Sequence, residues 1–66
     1  SGYVFILEIF VNPGDLLQFD DTILVFETCK VALDIPSPKA GRIVAIHVTE
    51  GDTVDAGAPL VTLESI

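Results

Sequence analysis

Lys30 stands out in this sequence as an amine with a job to do. Only Thr28, Cys29 and Lys30 separate two extended apolar runs, Ile23 to Glu27 and Val31 to Ile35. That spacing suits a short hairpin tip, from which a lysine side chain projects into solvent as an accessible amine. The plain alternative is a charge that discourages edge pairing and aids solubility. The other reactive side chains are weaker candidates. Cys29 is a lone cysteine whose basic neighbour is Lys30 itself, so little favours its thiolate. Ser1, Ser37 and Ser65 have only His47 as a base, and no spacing links them into a nucleophilic set. His47 reads as a surface side chain, Asp20-Asp21 as a solvated turn rather than a cation site, and Lys39 and Arg42 as surface charges.

The elements that must hold Lys30 follow from an internal repeat. An offset of 37 residues lays Glu8-Ile9-Phe10-Val11-Asn12-Pro13-Gly14-Asp15 over Ala45-Ile46-His47-Val48-Thr49-Glu50-Gly51-Asp52, keeping Ile, Val, Gly and Asp in place. The same offset sets Leu17 on Val54, and Ile23-Leu24-Val25-Phe26-Glu27 on Leu60-Val61-Thr62-Leu63-Glu64. Both halves alternate with period two, as strands do. This alternation predicts a core of Leu7, Ile9 and Val11 with Val44, Ile46 and Val48. Leu24 and Phe26, with their counterparts Val61 and Leu63, also point inward, and Val31, Leu33 and Ile35 alternate with Ala32 and Asp34.

Asn12-Pro13-Gly14-Asp15 and Glu50-Gly51-Asp52 carry the glycine and self-capping aspartate of tight turns. Pro36-Ser37-Pro38 makes a stiff crossover between the halves. Two four-strand units, each too small to bury its own apolar face, therefore pack as a flattened antiparallel β-sandwich or barrel about a pseudo-twofold axis. The counterpart of the strand Val31 to Ile35 would precede Ser1, so the chain reads one strand short at its amino end. Three outcomes fit: the polypeptide continues upstream, Tyr3 to Val11 bends to serve two short strands, or a neighbouring edge stays unpaired. A trimmed or minimal version is the expectation.

Composition narrows the function. Sixty-six residues make a single domain, which buries about 60% of the surface its unfolded chain exposes and has little room for a deep catalytic cleft. Half of the residues are hydrophobic and the mean hydropathy is +0.63, values of a folded chain rather than a disordered tail. Ten acidic residues against three basic ones give a formal charge of −7, which repels phosphate backbones and anionic headgroups. Nucleic acid and membrane are thus not expected partners. One cysteine and one histidine fall short of a disulfide or a structural zinc site. With no long apolar run and no leader-like segment, the sequence reads as soluble and intracellular.

The run Glu27-Thr28-Cys29-Lys30-Val31-Ala32-Leu33-Asp34-Ile35-Pro36-Ser37-Pro38-Lys39-Ala40-Gly41 resembles the attachment region of lipoyl domains in the biotinyl/lipoyl carrier family. Their usual form is Glu-Thr-Asp-Lys, an apolar strand, then Pro-Ala/Ser-Pro-x-x-Gly. Glu8-Ile9-x-Val11-x-x-Gly14-Asp15 and Ile46-x-Val48-x-x-Gly51-Asp52 extend the likeness over nearly the whole chain. The resemblance implies an all-β barrel-sandwich hybrid of two quasi-twofold sheets, with lipoic acid amide-linked to Lys30. It also implies that the modifying enzyme, a lipoyl ligase or lipoyl transferase, reads Glu27, Gly14 and Gly41. Plain readings stand beside these: Glu27 as a solvated strand end, the glycines as turn residues.

The same resemblance implies a non-catalytic swinging-arm carrier in a 2-oxo acid dehydrogenase-type complex. Its partners would be a thiamine-dependent decarboxylase, an acyltransferase core and a flavin dihydrolipoyl dehydrogenase, in the cytoplasm or, in a eukaryote, the mitochondrial matrix. Cys29 stands where aspartate is usual and Val31 where alanine is common. Two alternatives remain open: a biotinyl carrier on the same lysine, although biotinyl domains usually flank it with methionines and this chain has none, and an unmodified structural hairpin domain.

Overall fold

The computed structural model describes residues 2–66 and contains seven strands and no helix. They are β1 (Tyr3–Ile9), β2 (Leu16–Leu17), β3 (Thr22–Thr28), β4 (Val31–Pro36), β5 (Gly41–Ile46), β6 (Thr53–Asp55) and β7 (Val61–Ser65). All pairings are antiparallel and form two sheets, β4-β3-β1-β6 and β2-β5-β7. The flattened antiparallel sandwich expected from the repeat is the fold.

The sheets are not the halves, however. β6 of the second half pairs with β1, and β2 of the first half pairs with β5. Backbone hydrogen bonds around each Gly-Asp turn lock this exchange. Gly14 N donates to Ile43 O at 2.7 Å and Ile43 N to Asp15 O at 2.9 Å. Their counterparts 37 residues away, Gly51 N to Ile6 O and Ile6 N to Asp52 O, are both 2.8 Å. Within the turns Asp15 Oδ2 accepts Asn12 N at 2.8 Å and Asp52 Oδ2 accepts Thr49 N at 2.9 Å. Gly14 and Gly51 adopt φ of 95° and 92°, a region that a Cβ disfavours. Two glycines and two aspartates thus build the same turn twice, and each turn grips the opposite half.

The core differs from plain alternation at two equivalent places. Leu7 and Val44, expected inside, are 40% and 50% exposed, whereas Ile6 and Ile43 are 0% and 1% exposed. Pairing jumps from Ile6↔Phe26 to Glu8↔Val25, and from Ile43↔Leu63 to Ala45↔Thr62. Each jump is a β-bulge whose extra residue, Leu7 or Val44, reverses the facing of the strand. Beyond the bulges Val11 and Val48 are buried, with Ile9 and Ile46 half-buried, as the alternation predicts. A third irregularity at Ile23 on β3 lets consecutive Ile23 and Leu24 both enter the core, at 2% and 0% exposure.

Val31 and Leu33, which alternate with Ala32 and Asp34, are exposed like them, and Ile35 is half-buried. An apolar groove of about 280 Å³, lined in part by Phe26, Leu33, Ile35 and Leu60, opens along this inner face. The repeat explains why: the counterpart of β4 would lie beside β7, and among the described residues β7 has β5 as its one strand partner. β1 stays within a single sheet, so it does not bend to serve two, and among the described residues the far edge of β7 is open.

Ser37 in the crossover is 1% exposed. Its Oγ donates to Lys39 O at 2.7 Å and its N to Asp21 O at 2.7 Å, so burial leaves no polar atom unpaired. The crossover is therefore anchored to the Asp20-Asp21 turn as well as stiffened by prolines.

The bulges make a testable contrast. Ile43→Ala should lower stability by about 2–5 kcal/mol, as deleting a buried aliphatic side chain does, while Val44→Ala beside it should cost less than about 1 kcal/mol. Urea unfolding of the two variants measures the difference, and equal losses would contradict the bulged register.

Candidate functional site

Lys30 occupies a tighter hairpin than the sequence spacing suggests. Thr28 pairs with Val31 across the ladder, leaving Cys29 and Lys30 as a two-residue turn. Cys29 has φ 48° and Lys30 φ 70°, positive at both central positions as in a type I′ turn. Such turns match the twist of the flanking strands but favour Asn and Gly, because a Cβ crowds the backbone at positive φ. A cysteine and a lysine therefore hold this conformation under local strain, imposed by the six-residue ladder beneath them. Both are exposed, and Thr28 Oγ1 donates to Cys29 Sγ at 3.9 Å. The Lys30 amine is thus accessible to an acylating enzyme, and its anchor is a rigid ladder rather than a mobile loop. Neither its exposure nor its position hinders an amide-linked group on Nζ.

The other predicted site residues fall into two places. Glu27, exposed on β3, lies between Phe5 and Ala32 in the ladders of the Lys30 sheet. Gly14 and Gly41 belong to the other sheet: Gly14 bonds to Ile43, while Gly41 opens β5 opposite Leu17 and Ser65. Gly14 is a turn residue, as its plain reading held. Gly41 is not; it is a buried strand residue where an added Cβ would stand 2.6 Å from Glu64 O and 3.0 Å from Leu63. Its glycine is required by close backbone approach, a reason the local sequence does not reveal.

The remaining candidates disperse. His47 Nε2 is 2.7 Å from Thr62 Oγ1, a cross-strand contact on the exposed face of the second sheet that pairing with serines overlooked. Ser37 is buried in the crossover, Ser65 lies in β7, and Ser1 lies outside the described residues. Asp21 Oδ2 accepts Gln18 N at 2.8 Å, capping a turn in which Asp20 has φ 76°. No group of three or more His, Cys, Asp or Glu among the described residues is placed to hold a metal ion. The chemistry that this surface offers is therefore an accessible amine on a stiff hairpin, in a two-sheet sandwich that repeats its own turns: the features of a carrier domain.

Comparison with known proteins agrees. The family model for "Biotin-requiring enzyme", the biotinyl/lipoyl attachment family, matches residues 1–63, and the chain belongs to this family. It is 39% identical over 59 residues to the dihydrolipoyllysine-residue acetyltransferase component of the pyruvate dehydrogenase complex of Pseudomonas aeruginosa. The match covers 89% of the chain and 11% of that protein. The corresponding component of Haemophilus influenzae is 37% identical over 65 residues, covering 98% of the chain and 12% of that protein. A biotin carboxyl carrier protein of Streptococcus mutans is 38% identical over 58 residues, covering 88% of the chain and 45% of that protein. The chain thus spans about a ninth of the length of the acetyltransferase relatives and less than half of the biotin carrier.

Two substitutions separate strain from packing. Cys29→Asn should raise stability by about 0.5–1 kcal/mol, because asparagine tolerates positive φ better. Gly41→Ala should lower it by more than about 2 kcal/mol through backbone collision. Thermal unfolding of both variants tests this pair, and a destabilised Cys29→Asn would refute the strained turn.

Proposed function

We propose that Lys30 carries a lipoyl group in amide linkage and that this domain is the swinging-arm carrier of a 2-oxo acid dehydrogenase-type complex. The observation that carries this reading is the exposed amine at the second position of a two-residue turn. Its flanking Glu27-Thr28 and the family membership of the chain support it. A lipoyl group supplies a dithiolane that accepts an acyl group with two electrons and releases them in later steps. The domain itself holds the amine at a fixed apex, and the extended side chain reaches about 14 Å from the backbone, at ~1.25 Å per bond.

Glu27, three residues before Lys30, is the side chain that a lipoyl ligase or transferase would read at the hairpin. Gly14 and Gly41 contribute by fixing the fold, each having a backbone reason to be glycine. The partners visited would be a thiamine-dependent 2-oxo acid decarboxylase, an acyltransferase core and a flavin dihydrolipoyl dehydrogenase, in cytoplasm or mitochondrial matrix. Names of the acetyltransferase relatives support a place in a complex of this type.

Biotin on Lys30 is the second reading, favoured by likeness to a biotin carboxyl carrier protein. The lack of any methionine beside Lys30 weighs against it. Intact mass after incubation with lipoate–protein ligase or with biotin–protein ligase distinguishes them. Lipoyl addition to the wild type, its loss in folded Lys30→Ala and its reduction in Glu27→Gln are expected. Biotin addition alone, or no addition to the folded protein, would overturn the proposal.

A further inference from the structure

The outer face of the four-stranded sheet carries an apolar ridge along β1 that packing of this chain leaves uncovered. Tyr3, Phe5, Leu7 and Phe10 are 66%, 39%, 40% and 51% exposed. The Leu7 bulge is what aligns them. Plain alternation would put Phe10, five residues on, on the face opposite Phe5, whereas the bulged register turns both outward while Ile6 is buried and Ile9 half-buried. Phe10 also lines a shallow concavity of about 360 Å³ with Thr22, Val25 and Asp34 on this face. Large aromatic side chains exposed in a row on a central strand are a costly surface for a free domain.

Carboxylates frame the ridge. Glu27 is opposite Phe5, Asp55 opposite Tyr3, and Glu8 and Asp34 stand on either side of Val25. None of the three basic residues lies among them: Lys30 is at the hairpin tip, Lys39 in the crossover and Arg42 on β5 of the other sheet. A second copy of this chain would bring its own four carboxylates against these, with −7 on each domain opposing the contact. Anionic lipid is repelled for the same reason. The complementary occupant has an apolar strip bordered by lysine or arginine.

We propose that this face is a docking surface for a basic amphipathic segment of a partner protein, its apolar side chains seated between Phe5 and Phe10 and its cations on Glu8, Glu27 and Asp34. The inference is independent of which group Lys30 carries.

The test is an amide-resolved NMR titration of the whole 66-residue chain with a synthetic amphipathic helix, leucine on one face and lysine on the other. A control peptide has the same lysines and serine for every leucine. The leucine peptide should shift the amides of β1 and β3 around Phe5, Phe10 and Val25 and bind at least tenfold more tightly than the serine peptide. Phe10→Ser should remove most of that difference with melting unchanged, and Glu27→Lys with Asp34→Lys should weaken binding at least tenfold.

Equal affinity for both peptides, or shifts spread over all acidic residues, would overturn the proposal. Concentration-dependent shifts of the same β1 amides without peptide would overturn it in favour of self-association. If Phe10→Ser fails to fold, the charge-reversed variant carries the decision: wild-type affinity there refutes the surface. Lipoylation of Phe10→Ser, read by mass, reports on Lys30 separately.

Discussion

Everything in this fold depends on reciprocal backbone bonding between two copies of one turn. Each Gly-Asp turn donates to, and accepts from, the bulged strand of the opposite half, through Gly14 and Asp15 on Ile43 and through Gly51 and Asp52 on Ile6. A chain this short buries too little surface to tolerate two loosely associated sheets. Cross-gripping removes that weakness: β2 and β6, only two and three residues long, are held because the turns preceding them are already tied to the other half. Ile6 and Ile43, the residues so gripped, are also among the most buried, so hydrogen bonding and packing meet at the same two positions.

The hairpin draws on this frame. β3 lies between β1 and β4, and its pairing with β4 runs unbroken from Leu24 to Thr28, up to the Cys29-Lys30 turn. Two non-glycine residues at positive φ would relax into a longer loop if the ladder below were short or frayed. Continuity of that ladder keeps the turn tight. The amine is consequently presented at a defined point by backbone geometry, while its side chain alone provides freedom of movement.

Most of this was legible because the molecule says it twice. The 37-residue offset gave the pseudo-twofold and the turn positions, and both are seen in the pairing and the turn hydrogen bonds. Lys30 was legible from the brevity of the segment between two extended runs. The bulges were not, since an extra residue in a strand has no side-chain signature: Leu7 and Val44 are as apolar as the core residues they were mistaken for. A second clue was present in hindsight, for Ile6-Leu7 and Ile43-Val44 are consecutive apolar pairs at the same place in both halves. Exchange of β2 and β6 between sheets was also hidden, because alternation reports which residues share a face and not which strand lies alongside. Gly41 looked like a turn glycine, and only the proximity of Glu64 O shows otherwise.

The Leu7 and Val44 bulges give two strands a slack in chain length that an unbulged strand lacks. Each holds one residue beyond plain alternation, so removing Leu7 would let Glu8↔Val25 follow Ile6↔Phe26 directly and leave every other side chain of β1 on its face. Loss of Ile6 instead would let Leu7 take the inward place opposite Phe26. A single-codon deletion in these strands is thus absorbed, where the same loss from an unbulged strand would turn its remaining side chains over.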